Sequence, residues 1–174
     1  MGRGFLPKWR PGQSPTIGVS MDLSKIKNGQ KIVLVAGIVL IINLFLPWWR
    51  VDFGIVSGSA NAFDAFLAWF GSFLAIAAAV IIALKVFSSV KVNAGPLKAE
   101  HIAFALGVLG FIFILIEMFV DNDFMFIGIW IGLIVSAILV FGTFLAMKEQ
   151  GLGVADFKAL GGNQGGTPPP PPPA

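Results

Sequence analysis

Four apolar blocks, near residues 32–49, 63–87, 101–120 and 124–147, constrain this chain more than any other feature in it. Each is long enough for a helix to cross a hydrocarbon core, which takes about 17–25 residues. Strands that cross membranes alternate in polarity and run about ten residues; these blocks do neither. Backbone groups in lipid must be satisfied within the segment. The pattern therefore predicts an all-α membrane protein, a compact bundle of four transmembrane helices over residues 31–148. The polar ends, residues 1–30 and 149–174, are expected to be disordered and cytoplasmic.

Charge placement supplies the orientation. Only 12% of the residues are charged, against about 25% in ordinary soluble domains, and mean hydropathy is +0.86. A pI near 9.5 would suit nucleic acid, but the positions of the basic residues argue otherwise. Of the 12 Lys and Arg residues, Arg50 alone falls on one side of the alternating helices. The rest lie before the first block, from the end of the second to the start of the third, or after the fourth. That bias places both termini and the central loop in the cytoplasm of a cell membrane. The basic residues then read as topology signals and contacts to anionic lipid, with no nucleic-acid partner.

The chain has no cysteine, which excludes disulfides and thiol chemistry. The first apolar block begins about thirty residues in and reads as a retained anchor. Met21 opens MDLSKIKNGQKI and is expected to be the translation start, with residues 1–20 upstream of it. The segment RVDFGIVSGSANA (50–62) is read as a flexible outer loop. Gly95-Pro96 breaks the cytoplasmic loop before the third helix. Asp121, Asn122 and Asp123 connect the third and fourth helices so tightly that these two must be antiparallel neighbours. Six prolines, Pro168–Pro173, follow a glycine-rich spacer and predict a polyproline II segment. It reads either as a solvated tail or as a ligand for a cytoplasmic partner.

Lipid gives helices little reason to associate, so close packing needs small side chains. Gly71, Ala75 and Ala79 repeat at four-residue spacing in the second block, and Gly128, Gly132 and Ser136 in the fourth. These stripes are expected to face other helices, either within the bundle or, for the fourth, across a homo-oligomer seam. In LFLPWWRVDFG (44–54), Pro47 is expected to end the first helix. Trp48 and Trp49 are expected as interfacial anchors in the headgroup belt.

Five of the nine carboxylates, Asp52, Asp64, Glu117, Asp121 and Asp123, gather on the outer side with the single cation Arg50. Ionisable groups within membrane spans are costly and are usually paired or functional. Arg50 is therefore expected to pair with Glu117, Asp64 or Asp52. Two roles stay open for Arg50, Asp52, Asp64, Glu117 and Asp121: a clamp on the helix ends, or a cation or proton site. The lone His101, without a second His or a nearby Met ligand, makes a poor case for axial haem ligation and is read as an interfacial residue. No metal or cofactor site and no catalytic set is expected; HExxH, G-x-S-x-G and phosphate-loop patterns are missing from the sequence.

MDLSKIKNGQKI before the first helix, FLPWW at its end, NAFDAF opening the second and GTFLAMKEQG closing the fourth form a recognisable order. Over residues 21–151 it resembles a group of small four-helix membrane proteins of actinobacterial type that have no assigned activity. The resemblance implies a bacterial inner-membrane protein and carries over no functional residues. The function expected is that of a non-enzymatic accessory or scaffold subunit of a membrane complex. The alternative is an oligomeric channel or transporter for a cation or proton.

Overall fold

A computed structural model describes residues 26–88, 93–94, 97–121 and 123–160. Met21, the Gly95-Pro96 breaker, the proline run Pro168–Pro173 and, of the ends expected to be disordered, residues 1–25 and 161–174 lie outside these residues. Four helices, α1 (Asn28–Asn43), α2 (Phe66–Phe87), α3 (Ala99–Val120) and α4 (Ile127–Glu149), form a ring. In it α2 packs along α3 and α1 along α4, while the α3–α4 and α1–α2 contacts close the circle. Strands β1 (Pro47–Asp52) and β2 (Ser57–Asn61) make a hairpin between α1 and α2. A much smaller pair, β3 (Asn93–Ala94) and β4 (Leu97–Lys98), lies between α2 and α3.

Helices α2, α3 and α4 have 22, 22 and 23 residues and are long and apolar enough to cross a membrane. At about 1.5 Å per residue each spans roughly 33 Å, matching a hydrocarbon core of about 30 Å. This is the mark of a helical membrane protein. α1 is apolar but has only 16 residues, roughly 24 Å of helix. The expected first helix, 32–49, is therefore corrected at both ends.

Tertiary contacts explain the early start of α1. The Glu149 carboxylate, at the end of α4, accepts from the Gly29 N–H with both oxygens at 3.3 Å. The Gln30 side chain accepts from the Lys27 N–H at 3.2 Å, and Lys27 Nζ donates to the Glu149 carbonyl at 2.5 Å. These contacts supply partners at a helix start, where backbone donors otherwise go begging. At the other end, Pro47 disfavours helix in the residue before it. The chain turns after Asn43 and enters β1 instead.

Residues 50–62, expected as a flexible loop, are largely β-structure. The pairing is antiparallel, with Arg50 opposite Ser59, Val51 opposite Gly58 and Asp52 opposite Ser57. An irregularity between Pro47 and Trp49 breaks the alternation of strand side chains. As a result Trp48 and Trp49 are both inside, 0% and 8% exposed. Residues 124–126 then add to the other edge of β1. The Arg50 N–H donates to the Phe124 carbonyl at 3.0 Å, and the Phe126 N–H to the Trp48 carbonyl at 2.7 Å. The tight α3–α4 connection reaches this position with Phe124 at φ 59°, a left-handed conformation costing a bulky residue about 1–2 kcal/mol. The two hydrogen bonds to β1 help hold it there.

Small residues set the helix crossings. A Cβ at Gly110 would stand 2.6 Å from the Gly71 carbonyl oxygen and 2.8 Å from the Ala75 nitrogen, so α2 and α3 touch backbone to backbone. Ala79 packs under Gly37 of α1. On α4, Gly128 lies against Pro47 and Trp48, Gly132 against Asn43 and Trp48, and Ser136 is fully buried. The small face of α4 is thus occupied within the chain by α1 and β1, not offered to a second copy. Gly132→Leu is expected to lower stability by about 1–3 kcal/mol through overpacking. Thermal unfolding in detergent, followed by circular dichroism, checks this.

Candidate functional site

The hairpin end of the bundle carries most of the residues singled out from the sequence, in an arrangement the sequence did not suggest. Trp48 lies beneath the small sheet with its indole N–H donating to the Asn43 carbonyl at 2.9 Å. Trp49 donates to the Asp121 carbonyl at 3.2 Å, and the two rings are 5.9 Å apart. Neither is a lipid-facing anchor. The expectation failed because it placed both on the end of a helix, whereas the bulged strand turns both inward. With Leu44, Ala62, Ala68, Ile114 and Ile129 they form the apolar core of this end.

The acidic residues divide by role. Asp52 closes the hairpin turn, accepting from the Gly54 N–H at 3.1 Å; Gly54 has φ 81°, a conformation glycine adopts without steric cost. Asp64 accepts from the Asn61 N–H at 2.7 Å while Asn61 accepts from the Phe63 N–H at 2.9 Å. That reciprocal pair caps the 3-10 turn Ala62–Asp64 just before α2. Asp64, Asp121 and Asp123 do converge, lining with Trp49, Val51, Ala60, Ala65 and Phe124 an open hollow of about 230 Å³. Glu117, one turn inside α3, is 5% exposed and is not part of its lining.

Arg50 departs furthest from expectation. Among the described residues no carboxylate lies within ion-pair distance of it, so neither Glu117, Asp64 nor Asp52 is its partner. Its guanidinium instead stands over the Phe126 ring at 5.5 Å. The reason is geometric: β1 directs Arg50 to the face of the sheet opposite Trp49 and Val51, whereas the acidic hollow is on their side. On the Arg50 face a second hollow, about 240 Å³, is lined by Pro47, Arg50, Ser57, Gly58 and Ser59.

No known protein family, curated protein or solved structure matches this chain. Its own geometry therefore has to carry the functional argument.

At the opposite end, polar side chains that the sequence left unremarked tie helices together. Lys85, in the last turn of α2, pairs with Glu100 in the first turn of α3, and the Glu100 side chain is completely buried. His101, expected at an interface with lipid headgroups, is 1% exposed. Its Nε2 lies 3.3 Å from the Gly153 carbonyl and 3.4 Å from the Asp156 carboxylate, and the Phe157 ring meets it edge-on at 5.1 Å. The 3-10 segment Val154–Leu160 is therefore docked on α3, although the sequence beyond 148 had read as a disordered tail.

Asp156 is held below the usual carboxylate range by the Gly153 N–H, which donates to it at 2.8 Å, and then by His101 and Lys98. A lowered carboxylate contributes stability that is complete above its unfolded value, about 3.9, and fades as pH falls through the folded value. The docked segment is thus expected to loosen below about pH 4, and Asp156→Asn to loosen it at neutral pH. Hydrogen exchange of the amides at 153–157 is the readout; protection unchanged by Asp156→Asn would contradict it.

Proposed function

We propose that α1 is a fourth, short span and that the protein is a multi-pass cell-membrane protein with both ends cytoplasmic. In this reading it acts as a non-enzymatic accessory or scaffold subunit of a larger membrane complex. The carrying observation is the sealed interior. Val33, Leu40, Ala75, Ala78, Ile82, Ala103 and Leu139 are buried at the centre, and Gly71 and Gly110 close the α2–α3 crossing. The buried hydroxyls of Ser72, Ser136 and Thr143 are turned back onto carbonyls of their own helices. That leaves them little capacity to relay an ion. A subunit of this kind contributes a rigid shape and a fixed pair of membrane faces.

Purification in mild detergent followed by mass spectrometry tests this reading, which expects a larger protein to travel with the chain. The second reading, a cation or proton channel, rests on the convergence of Asp64, Asp121 and Asp123. It expects a homo-oligomer and cation flux in liposomes that falls with Asp121→Asn. Flux from the purified chain alone would overturn the scaffold reading.

A further inference from the structure

We propose that Arg50, Ser57 and Ser59 form a binding site for a phosphate group at the hairpin end of the bundle. The strand register assembles it. Arg50 and Ser59 are a directly opposed pair, and Ser57, opposite Asp52, is one pleat further along. Residues two apart on a strand share a face. All three side chains therefore line one hollow of about 240 Å³, below the roughly 300–1,000 Å³ of sites for drug-sized ligands. Gly58, between the two serines, borders it with backbone alone; its Cβ position is on the other face of the sheet, 3.5 Å from Val51.

The donors in this hollow are uncommitted. Arg50 has no carboxylate within ion-pair distance among the described residues. Its guanidinium carbon stands over the Phe126 ring at 5.5 Å, a contact with a ring face that uses none of its N–H donors on an acceptor atom. A planar fork of this kind matches two phosphate oxygens at once. Neither Ser57 nor Ser59 has a side-chain hydrogen bond to another described residue, so both hydroxyls can donate to a third oxygen.

Charge segregation makes the site selective for an anion. Asp64, Asp121 and Asp123 line the hollow on the Trp49 and Val51 face of the sheet. Asp52 shares the Arg50 face, but one oxygen of its carboxylate is engaged by the Gly54 N–H and it does not line the hollow. Phe126, beneath the guanidinium, immediately precedes α4. The site thus stands at the end of a membrane-length helix, the level at which lipid headgroups lie. A lipid phosphodiester is one source of the phosphate and a soluble phosphate is the other. The lipid source alone rests on the membrane reading above.

Full-length protein, delipidated in detergent, should be titrated with short-chain phosphatidylglycerol, with the matching phosphate-free diacylglycerol, and with inorganic phosphate. The site predicts binding of phosphatidylglycerol over diacylglycerol, weakened about tenfold or more by Arg50→Gln and less by Arg50→Lys. The Ser57→Ala/Ser59→Ala pair should weaken it several-fold, and Asp121→Asn, on the opposite face, should not. Inorganic phosphate bound with the same Arg50 dependence assigns a soluble ligand; binding of the lipid alone assigns a headgroup. Unchanged circular dichroism and melting of Arg50→Gln establish that this variant is folded. A folded Arg50→Gln protein that binds like wild type overturns the site, as does wild-type protein that binds neither phosphate source.

Discussion

Trp48→Ala is expected to destabilise the protein by about 3–5 kcal/mol, the usual range for emptying a buried aromatic site. The side chain is fully buried, seated on Gly128 and Gly132 of α4, and its indole satisfies the Asn43 carbonyl at the last residue of α1. The loss has two parts. One is the packing of a large ring seated on Gly128 and Gly132, which have no side chains of their own to move into the gap. The other is the loss of one of the two donors to a buried helix-end carbonyl, which keeps only the Leu46 N–H at 3.2 Å. Trp48→Phe separates them, keeping most of the volume and losing the hydrogen bond. Melting in detergent reads the total, and proteolysis within residues 50–60 reads the cap. A Trp48→Ala protein that melts with wild type would mean that the sheet does not brace the bundle.

Lys85→Met is the second large effect. It removes the partner of a carboxylate that is completely buried, and breaking a buried pair from one side costs about 3–5 kcal/mol. Because 32% of the Lys85 side chain is exposed, water can reach the gap, and the lower part of that range is expected. The other Glu100 oxygen, Oε2, is buried without a hydrogen bond, so little else nearby compensates. Adding Glu100→Gln should recover much of the loss, since the neutral amide avoids the buried charge. If the double variant is as unstable as Lys85→Met alone, the pair is not what ties α2 to α3.

The long helices were legible because apolar length is a strong signal. Blocks expected at 63–87, 101–120 and 124–147 correspond to α2 at Phe66–Phe87, α3 at Ala99–Val120 and α4 at Ile127–Glu149. The first block misled because Leu44, Phe45, Leu46, Trp48 and Trp49 continue its apolar run while leaving the helix. β2 was invisible for a different reason. Ser57–Asn61 has no apolar alternation, and its pairing comes from β1, not from its own composition. Arg50 was paired wrongly because charge counting takes no account of which face of a strand a side chain occupies. Reading 47–52 as a strand would have put Arg50 opposite Trp49 and Val51. Glu149 at the start of α1 and Asp156 beside His101 are contacts over long sequence separations, which local pattern does not encode.

The partner choice of α1 has a consequence for the order of assembly. Its main neighbour is α4, the last helix made, and the glycines that seat Trp48 are also on α4. The segment that bridges to the free edge of β1, residues 124–126, arrives just before it. While the chain is being synthesised, α2 and α3 can meet as soon as α3 emerges, but α1 has to wait for some eighty further residues. The shortest and least self-sufficient helix is therefore the one left longest without its seat. A chain stopped before Ile127 contains both sides of the α2–α3 contact but lacks the α4 glycines that seat Trp48 and the helix that is the main neighbour of α1.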